Sequence, residues 1–129
     1  MAKRAILCVD DEAIILIALK QELKIHFGDR FTYETAINAL DALKAIEELS
    51  AEGIEIAVVI SDWRMPGMKG DEFLIRVHQR DPKIATFMIT GQADDAAVAR
   101  ATELGKIRAC IRKPWSGRDL VSIIEKAVS

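Results

Sequence analysis

Residues Glu55 to Ser61 contain the run Ile-Ala-Val-Val-Ile, unbroken by any polar residue and closed by Asp62. A run this short and this apolar reads as a central strand covered on both faces, which is the habit of parallel strands flanked by helices. The rest of the chain alternates in the same rhythm. Arg4 to Val9 is a buried strand ending at an acidic pair, and Ala13 to Phe27 is a helix stopped by Gly28 and Asp29. Phe31 to Ile37 is a weaker strand. Asn38 then caps a helix carrying Ala39, Ala42, Leu43, Ile46 and Leu49 at helical spacing, with Asp41 in its first turn.

After Asp62 comes a turn, Met65-Pro66-Gly67-Met68-Lys69-Gly70, and a helix presenting Phe73, Leu74 and Val77. Ile84 to Thr90 is the fourth strand, Ala93 to Leu104 the fourth helix and Ile107 to Arg112 the fifth strand. Gly117 to Val128 is the last helix, packing through Leu120, Ile123, Ile124 and Ala127. Five strands alternating with five helices give an α/β protein of three layers. Right-handed crossovers place helices on both faces of a parallel sheet.

Composition narrows the function. The 129 residues suit one domain, residues 1–129, and bury roughly two-thirds of the unfolded surface. A net charge of -2, with no basic stripe of interleaved aromatics, gives no support to direct nucleic-acid binding. The longest apolar run, Ala13 to Leu19, falls far short of the ~20 residues of a membrane span, so no membrane partner and a cytoplasmic location are expected. Cys8 and Cys110 share no metal-ligand spacing with His26 or His78, and are expected to be two buried thiols rather than a disulfide or zinc site.

Ligands of open α/β sheets bind at the carboxyl ends of the strands. Those ends carry Asp10 and Asp11 after the first strand, Asp62 after the third, Thr90 at the fourth and Lys113 after the fifth. Singly, each has a plain explanation: Asp11 as a helix cap, Asp62 bonding its own turn, Thr90 ending a strand, Lys113 solvated. Together they place a reactive polar group on four strand ends at one edge. Two carboxylates ~5 Å apart repel by ~3 kcal/mol at an effective dielectric of ~20. A hard cation relieves this, and all-oxygen ligation by few protein groups favours Mg²⁺. Lys113 and Thr90 then suit an anion richer in oxygens, such as a phosphoryl group.

At these residues the chain resembles the receiver domains of two-component response regulators. The matching motifs are Val-Asp-Asp at 9–11, Ser-Asp-Trp-Arg-Met-Pro-Gly-Met-Lys-Gly at 61–70, Ile-Thr-Gly at 89–91 and Arg-Lys-Pro-Trp at 112–115. The resemblance implies a flavodoxin-like strand order, 2-1-3-4-5. It implies that Asp62 accepts a phosphoryl group from a histidine kinase or histidine phosphotransfer protein, with intrinsic Mg²⁺-dependent self-phosphorylation and dephosphorylation rather than turnover of a separate substrate. Asp11, Asp62 and the backbone carbonyl of Arg64 would hold Mg²⁺, with Asp10 reaching it directly or through water. Lys113 would pair with Asp62, Thr90 would swing inward, and Lys113-Pro114 would be cis. A homodimer through the face of the fourth and fifth helices is a further expectation.

Three features depart from the pattern or elaborate it. Cys110 stands where many receivers carry Tyr or Phe, so switching is expected to use the backbone from Thr90 to Ala93. Arg64 and Gln92 flank the expected phosphoryl site as candidates for tuning its lifetime. Ile14 and Ile17 are left near the surface if Ile15, Leu19 and Leu23 face the sheet, and form a candidate docking patch. Other classes fit less well. An aspartate-nucleophile phosphatase needs a general acid where Arg64 stands, and the first loop lacks the glycines of a nucleotide binder. A receiver-like interaction module that is never phosphorylated remains an alternative.

Overall fold

The computed structural model describes residues 3–92 and 95–128. Five strands form one parallel sheet: β1 (Arg4–Val9), β2 (Thr32–Ala36), β3 (Glu55–Ser61), β4 (Ala85–Thr90) and β5 (Ala109–Arg112). Their spatial order is β2-β1-β3-β4-β5, the order implied by the resemblance. The helices are α1 (Ala13–Phe27), α2 (Ala39–Ala51), α3 (Gly70–Arg80), α4 (Asp95–Leu104) and α5 (Gly117–Val128). None of the described helices is long and apolar enough to cross a membrane.

Side-chain alternation along the strands divides the core in two. Ile6 and Cys8 of β1 face α1 and α5, where they meet Leu19, Leu23, Phe87, Leu120 and Ile124. Ala5, Leu7 and Val9 face the opposite layer and pack with Ile46, Phe73, Leu74, Val77 and Met88. One irregularity breaks the alternation. Between Ala5 and Ile6 the β1–β3 register skips from Ile56 to Val58, a bulge at Ala57. A one-residue bulge resets which face every later residue of the strand addresses. Ala57 and Val58 therefore both lie on the α1/α5 side, and the alternation resumes at Val59.

Several boundaries differ from the sequence reading for local reasons. A 3₁₀ turn, Gly28–Arg30, follows α1, with Gly28 at φ 59° where only glycine is at ease. Phe31 and Ile37 fall outside β2, and Ile37 is exposed. The fifth strand begins at Ala109 rather than Ile107, because the Ile107 N–H bonds back to Ala101 O and Lys106 takes φ 51°. The expected first residue of α4, Ala93, lies outside the described residues, and with it one end of the proposed switching segment. On α1 the buried residues are Leu16, Leu19, Leu23 and Phe27, with Ile15 half-buried. Of the two thiols expected to be buried, only Cys8 is; Cys110 is half-exposed because its strand is the sheet's edge. The Lys113-Pro114 bond is cis.

Candidate functional site

The carboxyl ends of β1, β3, β4 and β5 open onto one cavity of about 380 Å³, whose wall includes Asp11, Asp62, Arg64, Thr90 and Lys113. Backbone bonds that continue the ladders past the strands fix these residues. Asp62 N–H donates to Val9 O at 2.9 Å, Asp10 N–H to Ala36 O at 3.1 Å and Lys113 N–H to Thr90 O at 3.1 Å.

The three aspartates divide the work by depth. Asp10 has no exposed surface and Asp62 is 5% exposed, whereas Asp11 is open to solvent. Each offers a carboxylate oxygen, and these oxygens lie within 4.8 Å of one another. A set of three hard anionic oxygens at that spacing fits a small divalent cation and does not suit a soft one. Asp10 is further tied down: its Oδ1 accepts the Glu12 N–H at 2.9 Å and its Oδ2 accepts Lys113 Nζ at 2.7 Å. Lys113 Nζ lies 3.4 Å from Asp62 Oδ2. The expected Lys113–Asp62 pair is thus present, but the shorter bond goes to Asp10.

Burial pushes the Asp10 carboxyl above its usual range, and the Asp62 charge adds to this, against the pull of Lys113 and the Glu12 N–H. Burial acts on Lys113 in the opposite sense, but the two carboxylates outweigh it and raise the ammonium above its ordinary value. Lys113 and Asp10 meet at 2.7 Å, a short contact suited to a charge-assisted bond, and Asp10 is the most buried acid of the cluster. A divalent cation would relieve the crowding of these carboxylates.

Thr90 is buried, and its Oγ1 accepts the Gln92 N–H at 3.2 Å, so its oxygen is engaged by its own loop. Arg64 bridges the mouth of the cavity by donating from Nη1 to Gln92 Oε1 at 2.7 Å. The two residues read separately as flanking side chains are therefore one contact between the β3–α3 and β4–α4 loops.

Three site residues were not singled out from sequence. Glu12 lines the cavity; its signal was the third acid in Asp10-Asp11-Glu12. Trp63, next to Asp62, gives its N–H to Asp62 Oδ1 at 2.8 Å and its indole Nε1–H to Asp71 Oδ1 at 3.2 Å. Asp71 sits in the first turn of α3, where an acid is ordinary, and nothing in the sequence marks it as buried. Gly70 allows this loop to close. A Cβ there would collide with Asp62 O and stand 2.7 Å from Trp63 Cα.

The chain matches the family model of the response regulator receiver domain over residues 6–125. It is 29% identical over its full length to the DNA-binding transcriptional regulator NtrC of Escherichia coli (strain K12), and spans about a quarter (26%) of that protein's length. It is 30% identical to the chemotaxis protein CheY1 of Helicobacter pylori, covering 93% of each. Among solved structures, the signal receiver domain of an HD domain-containing protein from Pseudomonas fluorescens Pf-5 superimposes with a TM-score of 0.86 at 30% identity, over 99% of this chain and 88% of that one. With four acidic, hydroxyl and amino strand ends on one cavity and the fold's strand order in place, the chain belongs to the response regulator receiver domain family of two-component systems.

Proposed function

We propose that Asp62 is the phosphoacceptor, charged by a phosphohistidine on a histidine kinase or histidine phosphotransfer protein in the cytoplasm, and that the whole chain is this one receiver domain. The observation that carries the reading is the meeting of Asp11, Asp62, Lys113 and Thr90 at one cavity, with Asp10 sealed beside Asp62 and Lys113. Asp11, Asp62 and the Arg64 backbone carbonyl would hold Mg²⁺, with Asp10 as a direct or water-bridged partner. The ion would neutralise phosphoryl and carboxylate oxygens as charge crowds between them.

An Asp62 oxygen attacks phosphorus in line; the O–P bond forms as the N–P bond to the donor imidazole breaks, and the imidazole leaves with the bonding pair. Positioning dominates over proton chemistry here. The Trp63 N–H holds one Asp62 oxygen and orients the carboxylate. Lys113, already beside Asp62, exchanges part of its carboxylate partnership for a phosphoryl oxygen. Thr90 exchanges its Gln92 N–H contact for another and draws the loop after β4 inward. The Arg64–Gln92 bridge stands over the same site, where it screens the acyl phosphate from water. A homodimer through the α4–β5–α5 face is part of the same reading of the switch.

The test is intact mass after incubation with acetyl phosphate, with and without Mg²⁺, for the wild type and Asp62→Asn. The expected result is a Mg²⁺-dependent gain of one phosphoryl group in the wild type alone. Failure to gain mass, together with failure to bind beryllofluoride, would leave a receiver-like interaction module instead.

A further inference from the structure

Asp71 is a nearly buried carboxylate, its side chain 8% exposed, with both oxygens in use. Oδ1 accepts the Trp63 indole N–H at 3.2 Å; Oδ2 accepts Arg100 Nη1 at 2.8 Å. Trp63 is covalently next to Asp62 and is pinned at two further points: its carbonyl accepts the Gly70 N–H at 2.8 Å, and Lys69 Nζ lies 5.5 Å from its ring centroid. Arg100 belongs to α4. One side chain thus joins the residue beside the proposed phosphoacceptor to α4.

What else holds α4 makes this tie weigh more. The helix packs against α3; its fully buried residues are two alanines, Ala97 and Ala101, and Val98 packs partly buried against the core beside them. Such small side chains contribute little area. A charge-assisted bond to a buried carboxylate is stronger than a neutral one, so Arg100–Asp71 adds a directional tie to this modest apolar packing, although the Arg100 end is more than half exposed and screened by solvent. The helix begins shortly after Gln92, so any inward movement of the Thr90 loop pulls on its N-terminal end while Arg100 holds it at mid-length.

We propose that Asp71 is a positioning residue that carries the state of Asp62 to α4, through Trp63 on one oxygen and Arg100 on the other, and that the tie favours the unloaded form. The inference rests on Asp62 being the phosphoacceptor. Coupling of this kind is reciprocal: a contact that resists movement of α4 must also weaken loading of Asp62.

Arg100→Ala is the first variant, since Arg100 is more than half exposed and its loss leaves the core intact. Arg100→Lys keeps the charge without the planar fork, and falls between it and the wild type. Beryllofluoride with Mg²⁺ serves as the phosphoryl probe, titrated against each protein. We expect Arg100→Ala to bind it about fivefold more tightly, at the lower end of ordinary coupling. Amide exchange across residues 95–104 should rise in the unloaded variant and lose most of its response to the probe. The Trp63 indole N–H resonance should shift in Arg100→Ala, although residue 100 reaches Trp63 only through Asp71. Asp71→Asn, which keeps an acceptor for Trp63 while removing the ionic partner of Arg100, should reproduce the exchange and affinity changes. Unchanged or weaker probe affinity in Arg100→Ala, or a wild-type response of α4, would overturn the inference while leaving Asp62 as acceptor. A wild type that binds no probe overturns the acceptor reading, and this one with it.

Discussion

Asp10 has no exposed surface, and one of its oxygens depends on Lys113 at 2.7 Å. Replacing Lys113 by Met would strand a buried carboxylate beside Asp62, the costly way to break a buried pair. The expected loss is about 3 kcal/mol or more in urea unfolding at pH 7 without divalent cations. Adding Asp10→Asn should return most of it, because an amide needs no counter-charge. A loss under about 1 kcal/mol would mean that water already serves Asp10. At this scale the sequence told which residues would gather at one strand edge but not their pairings. The strand-end pattern tells which residues meet at an edge, while partner choice turns on which of two adjacent aspartates points inward. Asp10 and Asp11 are identical in type and sit on one loop, so nothing in their order reveals that one is sealed and the other open.

Helix α1 carries Ile14 at 73% and Ile17 at 64% exposure, on the turns nearest the site. Beside it, Ile15, Glu22, Pro114 and Trp115 line a cavity of about 420 Å³, with the Trp115 indole N–H donating to Glu22 Oε1 at 3.3 Å. An apolar helix face next to an apolar cleft is a surface on which the proposed phosphodonor would dock. Ile14→Ser with Ile17→Ser should therefore leave the unfolding midpoint almost unchanged. It should slow phosphotransfer from a donor protein at least severalfold, while phosphorylation by acetyl phosphate proceeds as in the wild type. Equal transfer rates would remove the docking role. The exposure of these two residues was legible in the helical period. The bulge at Ala57 was not. A strand apolar on both faces has no alternation to interrupt, so its phase is visible only against the neighbouring strand. The start of β5 was hidden for a related reason: Ile107 is buried and β-prone, but its N–H is claimed by α4.

Across the whole molecule, exposed ion pairs join elements distant in sequence. Arg80 Nε bonds Glu47 Oε1 at 2.7 Å between α3 and α2, and Arg30 reaches Glu125 at 3.2 Å from the turn after α1 to α5. The guanidinium bonds hold both glutamates below the ordinary value of 4.5. Carboxylates depressed in the folded state add stability at pH above that value and lose it as pH falls through their folded range. The urea midpoint of the wild type should exceed that of Glu47→Gln by a small, constant margin from pH 7 to 5. The margin should close as pH drops further, and its survival at pH 3 would show that charge is not its source. Both ties are surface contacts, so the margin is modest. Strand order was not legible from periodicity; it came with the motif resemblance, because alternating strands and helices do not say on which side of β1 the chain turns back.

The bond between Asp10 and Lys113 spans 103 positions of chain. Its acidic half lies just past the first strand and its basic half just past the last, so a polypeptide leaving the ribosome carries the aspartates long before their counter-charge exists. Until β5 is laid against β4, the edge is a cluster of mutually repelling anions with no lysine to complete it. The cluster of Asp10, Asp62 and Lys113 is therefore complete only once the last strand has joined the sheet.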